Sequence, residues 1–343
     1  MSLAQNPQAM AELDLGTGQD PDGRLRAAPP ARRRNGGGLV RGLVGNAKSV
    51  AGIVILVIFL LIAVFAPVIS PADPNLITGM GSQPPSPEHW LGTTAKGQDV
   101  LALNIWGSRS SLFVGFAVGT LATIVGLVVG LASAYLGRWV DNVLSLVTNV
   151  FLLLPGLPLL VILAAFLPQG LGTVILVLVI TGWAGSARVL RSQAMSIRGK
   201  DFVGAAQVTG ESGMRIMFRE MLPNMASIVM STFLACVIFG IGAQAALEFL
   251  GLGDISTVSW GTNLYWASND GALLTGAWWA FVPPGVCIAL VAFALALVNY
   301  GVDETTNPRL RRPRRRTTPD EPTRVATARD TRRPVIRPEE KAR

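Results

Sequence analysis

The chain has 343 residues, half of them hydrophobic, and a net charge of +8 with a single His and two Cys. That balance excludes an ordinary soluble globule. One His and two Cys leave no disulfide framework, zinc-ligand spacing or His-dependent hydrolytic triad.

Residues 1–48 are rich in Gly, Pro, Ala and Arg without apolar periodicity, which predicts a disordered basic tail. The first apolar tract, about 50–70, begins too far in and runs too long for a secretory signal, so it is expected as a retained membrane helix. Further uncharged tracts predict spans at about 110–137, 142–167, 171–190, 224–248 and 277–300, since roughly 20 apolar residues cross a bilayer core. Leu167-Pro168-Gln169-Gly170 separates the third span from the fourth. Pro155-Gly156-Leu157-Pro158 interrupts the third, as a discontinuous helix lining a substrate path or as a packing kink. Pro283-Pro284-Gly285 invites the same two readings in the sixth. Cys236 and Cys287 fall inside spans and act as small apolar fillers. Residues 312–343 read as a second disordered tail.

Lys and Arg concentrate before residue 49, in 188–224 and after 301. Positive residues stay on the cytoplasmic face, so both termini and the 188–224 connection are expected there. The Pro-rich 71–107 connection and the 251–276 connection, with Trp260, Tyr265 and Trp266, then lie outside. His89 is expected to contact its neighbour Trp90. The basic run at 309–316 suits membrane lipids or a topology signal, and no nucleic-acid partner is expected. Asp303 and Glu304 are candidates to pair with Arg309.

Between spans four and five, residues 201–224 read DFVGAAQVTGESGMRIMFREMLPN. Asp201–Thr209 fits a helix with Phe202, Ala205, Ala206 and Thr209 on one face, and Gly210 suits the left-handed position beyond its end. Ser212 is the expected N-cap of a second short helix, in which Met214, Met217, Phe218 and Met221 recur at i, i+3, i+4 and i+7. Arg215 and Arg219 lie one turn apart on the opposite face. So short a helix is marginal in water, and its stripe needs lipid headgroups, the chain's own helices or a partner to cover it. Met-rich faces adapt to partner grooves, but the residues themselves leave all three surfaces open.

This segment resembles the cytoplasmic loop of ABC-importer permeases: Glu-Ala-Ala, three residues, Gly, nine residues, then Ile-x-Leu-Pro. Ala205, Ala206, Gly210, Leu222 and Pro223 stand at matching positions, whereas Gly204 replaces the family's Glu and Glu220 its Ile. HWLGTTAKGQDVLALNIWGSRSSLFVG at 89–115, WAGSARVLRSQ at 183–193 and LEFLGLGDISTVSWG at 247–261 are similar to further stretches of that family's dipeptide, oligopeptide and nickel branch. So, in outline, is NYGVDETTNPRLR at 299–311.

The resemblance implies an all-α membrane protein with six transmembrane helices, the type I importer permease fold, over 49–311 of a bacterial inner-membrane protein. A homologous permease subunit would complete the translocation path, two ATPase subunits would drive it, and an extracytoplasmic substrate-binding protein would deliver di- or oligopeptides. Oligosaccharides and nickel are the alternative cargoes. Gly204, Ala205, Ala206, Gly210, Glu211, Ser212, Met214, Arg215, Met217, Phe218, Met221, Leu222 and Pro223 would form the ATPase-coupling loop. ATP and Mg would belong to the ATPases. Gly199-Lys200 is followed by Asp201, so this chain has no phosphate-binding loop and is expected to bind no cofactor itself.

Candidates for lining the path are Gln244, Glu248, Pro155 and Pro158. Gln244 and Glu248 are four residues apart, hence on one helix face, and an ionisable group within a span is a functional candidate. Two other classes compete: an intramembrane enzyme, which the uncharged tracts disfavour by lacking His, Lys, Asp and Arg, and a membrane anchor acting through its basic tails.

Overall fold

The computed structural model describes residues 46–71 and 73–306, so the basic run at 309–316, Arg309 and nearly all of both expected tails lie outside the described residues. What is described is helical. Five helices are long and apolar enough to cross a membrane, or six spans if a bent pair counts as one. They are α1 (Ala47–Ile69), α2 (Val100–Leu136), α5 (Leu171–Arg198), α7 (Ala226–Phe249) and α9 (Trp278–Thr306), with α3 (Arg138–Leu153) and α4 (Gly156–Phe166) as the bent pair. Two shorter helices, α6 (Asp201–Val208) and α8 (Trp260–Asn269), lie in connections.

Helix α2 is the spine of the fold, packing along α5 and α7. Small residues permit the close approach: a Cβ on Gly130 would sit 2.9 Å from the Arg191 backbone nitrogen, and one on Gly240 3.0 Å from Val118 Cβ. Membrane helices associate through such small-residue seams because lipid offers no hydrophobic drive between them. Helix α1 lies against α9, where Gly52 abuts the Ala294 carbonyl. Its other face is apolar and open, with Val54, Ile58, Leu61 and Val64 exposed, a surface that needs lipid or a partner subunit to cover it.

The spans depart from expectation at α2 and α9, while the third span breaks where Pro155-Gly156-Leu157-Pro158 led one to expect. Helix α2 starts about ten residues before the predicted 110, because Asp99 caps it by accepting from the Ala102 N–H at 2.9 Å and buries Asn104, Ser108 and Ser111 in polar contacts. The third span is two helices meeting at 89°, with Leu154 and Pro155 extended at the corner. Pro158 then falls in the first turn of α4, where its missing N–H costs nothing. Helix α9, by contrast, runs unbroken through Pro283 and Pro284.

Helix α8 was not predicted at all. Ser259 and Thr262 form a reciprocal capping box at its start. Thr262 occupies the position where Glu or Gln usually signals that motif, so the pattern is faint in sequence.

Candidate functional site

The 201–224 segment closes one end of the bundle. Helix α6 terminates at a Gly210 with φ of 76°, while the Glu211 N–H reaches back to the Ala206 carbonyl at 3.1 Å. That left-handed Gly with a six-to-one hydrogen bond is the Schellman ending, and it reverses the chain. Ser212 is extended as an N-cap should be, but its side chain makes no capping bond. An α-turn, Gly213–Arg215, runs into a π-helical stretch, Ile216–Met221, and a last α-turn, Leu222–Asn224, containing Pro223.

The wider turn corrects the expected methionine stripe. In a π-helix each residue rotates less about the axis than in an α-helix, so the i, i+3, i+4, i+7 set no longer shares one face. Met217 and Met221 turn inward, 7% and 0% exposed, and pack with Ile216 and Met225 against Leu131, Ala134, Leu190, Ala194, Ile197 and Val203. Met214 and Phe218 turn outward, 63% and 49% exposed. The stripe is therefore half anchor and half free surface. Helix α6 adds Phe202, Ala205 and a nearly naked Val208 to the outer side, while its Val203 is the buried residue. Gly204 is exposed, and a Cβ there would meet nothing within 4 Å. Glu211 pairs loosely with Arg215 at 3.6 Å, and Arg219 has no ion-pair partner among the described residues.

Behind this segment lies a clamp that sequence reasoning missed. Arg191 on α5 donates through Nε and Nη2 to the two carboxylate oxygens of Asp141 on α3, at 2.7 and 2.8 Å. Ser133 at the end of α2 donates to the same carboxylate at 2.5 Å and accepts from Arg191 Nε at 3.0 Å. One fork-to-fork pair, with Ser133, thus ties three helices together two turns before α5 ends ahead of the 201–224 segment. Arg198, about two turns further along α5, donates to the Ala134 carbonyl at 2.7 Å. The available signal was a lone acid in the link after span two and the Arg of WAGSARVLRSQ.

At the opposite end, Gln244 and Glu248 are brought together but do not face an open path within this chain. They are 1% and 2% exposed, and Gln244 Nε2 donates to Glu248 Oε1 at 2.8 Å. Ser259, the α8 N-cap, donates to Glu248 Oε2, placing the carboxyl group under the first turn of α8. Pro155 and Pro158 are exposed at the α3–α4 corner, and α4 packs through Leu160 and Ala164 against Ala243 and Leu247 of α7. His89 Nδ1 lies 2.8 Å from Asp99 Oδ2 in a hydrogen bond that braces the α2 cap, while Trp90, its expected contact, stays 73% exposed. Asp303 accepts from Ser231 and Glu304 from Asn46. Among the described residues no three His, Cys, Asp or Glu side chains cluster as metal ligands would.

Comparison with known proteins bears on this arrangement. The model for the inner membrane component of binding-protein-dependent transport systems matches residues 122–312, and that for the N-terminal transmembrane domain of oligopeptide transport permease C matches residues 40–85. The chain belongs to the family of binding-protein-dependent transport inner membrane components. Its similarity to the oligopeptide transport system permease protein OppC of Bacillus subtilis is 32% identity over 274 residues, 78% of this chain and 87% of that one. The dipeptide transport system permease protein DppC of the same organism is 32% identical over 79% of this chain and 85% of its own. OppC of Mycobacterium bovis is 32% identical over 81% and 96%. As an inner membrane component, the chain is a multi-pass subunit of a transport system, and the matched stretch from 122 onward contains both the π-turn segment and the Glu248 network.

Proposed function

We propose that this chain is one of two homologous membrane subunits of an ATP-driven importer of di- and oligopeptides. The relatives carry dipeptide and oligopeptide transport in their names, which supports the cargo. Both termini and the 201–224 segment face the cytoplasm, in keeping with the Lys and Arg distribution. Two ATPase subunits, holding ATP and Mg, dock there, and an extracytoplasmic binding protein delivers peptide to the far side. Lipid covers the outward faces of the spans.

The observation that carries this reading is the split of the segment into an exposed apolar crown, Met214, Phe218 and Val208, on a buried base of Ile216, Met217 and Met221. A side chain exposed to water at such cost in apolar area suits a partner groove. The buried base then transmits force: a push on the crown reaches α2 and α5 through the Met221 cluster and the Asp141–Arg191 clamp, so the helices rock as a body.

The test is reconstitution with the partner subunits in proteoliposomes. ATP-dependent uptake of a labelled tetrapeptide, without uptake of maltotriose or nickel, is expected. Met214→Cys should cross-link to the ATPase and Met217→Cys should not. Uptake of the sugar instead of the peptide would overturn the cargo, and equal cross-linking from both positions would overturn the docking geometry.

A further inference from the structure

At the end of the molecule opposite the 201–224 segment, a cavity of 280 Å³ lies between the two connections that flank α2 and α8. Val100, Leu103 and Asn104, in the first turns of α2, form part of its wall, whereas the π-turn segment packs against Leu131 and Ala134 near that helix's other end. The length of α2 puts roughly 50 Å between the two places.

The lining carries both signs of charge. Lys96 comes from the 75–98 connection and Asp270 from just past α8, and neither has an ion-pair partner among the described residues. The Lys96 ammonium lies over the Trp266 ring, 2.9 Å from its centroid. The Trp266 indole N–H is committed to the Ile255 carbonyl at 3.2 Å. Asn104, 6% exposed, uses its amide nitrogen on the Val100 carbonyl at 2.7 Å, and its Oδ1 is a buried acceptor without a partner. Buried polar atoms are normally satisfied, so an orphan in a cavity wall marks a polar site rather than a packing gap.

The chemistry selects among ligands. An apolar guest would strip water from two unpaired charges and return nothing. A divalent cation would want several carboxylates, and Asp270 is the one acid in the lining. A sugar would stack on an open aromatic face, and Lys96 already covers a face of Trp266. We propose that this cavity binds a small zwitterion, an amino acid or short peptide, with its carboxylate at Lys96 and its ammonium at Asp270. The volume lies just under the range of drug-sized ligand pockets, so a dipeptide fills it and a longer peptide enters by its ends only. The site is then a waiting place on the delivery side, upstream of the path between subunits. That transport role rests on the peptide reading above, while the binding itself rests on the cavity alone.

The experiment uses the full-length chain, assembled with its partner permease and ATPase subunits in lipid nanodiscs, titrated calorimetrically without the binding protein. The probes are dialanine, N-acetyl-dialanine, dialanine amide and maltose. Dialanine should bind saturably, and either blocked form should bind at least about tenfold more weakly, the loss of one charge-assisted contact. Lys96→Gln should weaken dialanine but leave dialanine amide unchanged, and Asp270→Asn should do the same with respect to the N-acetyl form. Comparing ligands on the unsubstituted chain keeps the test independent of any folding defect in the variants. No saturable dialanine binding, equal binding of blocked and free peptide, or maltose binding as well as dialanine would each overturn the proposal. Tetrapeptide uptake persisting without dialanine binding would sink this site and spare the importer reading. Binding without any peptide uptake would do the reverse.

Discussion

At one end of this protein Met214 and Phe218 stand exposed over a base of Ile216, Met217 and Met221, while at the other Gln244 and Glu248 are sealed beneath the first turn of α8. Polarity runs against the usual order in both places. Apolar side chains face outward at one end, and at the other a carboxyl group faces inward where a helix N-cap and an amide supply its hydrogen bonds. The comparison teaches that exposure alone does not mark function in a membrane subunit. What matters is whether each odd placement is already satisfied within the chain. Both Glu248 carboxyl oxygens find donors within the chain, whereas the exposed faces of Met214 and Phe218 are left uncovered by it.

The strongest way to break this contrast is to truncate the base. Met221→Ala should cost about 2–5 kcal/mol, as other buried Met truncations do, whereas Met214→Ala should stay within about 0.5 kcal/mol. Thermal melting of the purified subunit checks both, and equal losses would erase the distinction between base and crown. Next in size, Glu248→Ala should lower stability by roughly 1–3 kcal/mol, because Ser259 Oγ and Gln244 Nε2 lose their acceptor in a buried site. Unaltered melting with reduced uptake would instead return Glu248 to the translocation path. Arg191→Lys should cost roughly 1–2 kcal/mol by losing the bidentate geometry on Asp141, and should depress uptake more than it depresses ATP hydrolysis.

Much of this was legible beforehand, and the exceptions have physical causes. Long uncharged tracts announce spans because lipid tolerates nothing else, and Gly210 announces the turn after α6 because few residues adopt its positive φ. The methionine stripe has a 3.6 periodicity in sequence, but the chain winds there as a π-helix, and nothing local in sequence distinguishes a π-turn from an α-turn. The clamp joins Asp141 to Arg191 across 50 residues, and no window of sequence brings them together. The cap of α8 was hidden by Thr262 in place of an acid or Gln.

Two smaller effects sharpen the comparison further. Gly204→Ala should stabilise α6 by about 1 kcal/mol, because the site is open and Gly is the poorer helix former. Asp254, in the connection before α8, has its carboxyl held below the ordinary range chiefly by the Ser256 hydroxyl and backbone N–H, with the Thr257 hydroxyl adding to them. A depressed carboxyl contributes stability above the unfolded pKa, about 4, and loses it as pH falls through the folded value. Asp254→Asn should therefore lower the melting temperature slightly at neutral pH and flatten its decline in acid. An identical acid profile in both proteins would remove Asp254 from the account.

The central claim is met most directly by Met214→Asp combined with Phe218→Asp, followed by co-purification of the ATPase and ATP-driven peptide uptake. The account predicts a subunit that melts as before and still joins its sister permease, but neither retains the ATPase nor imports peptide. Normal ATPase retention with undiminished uptake would contradict it.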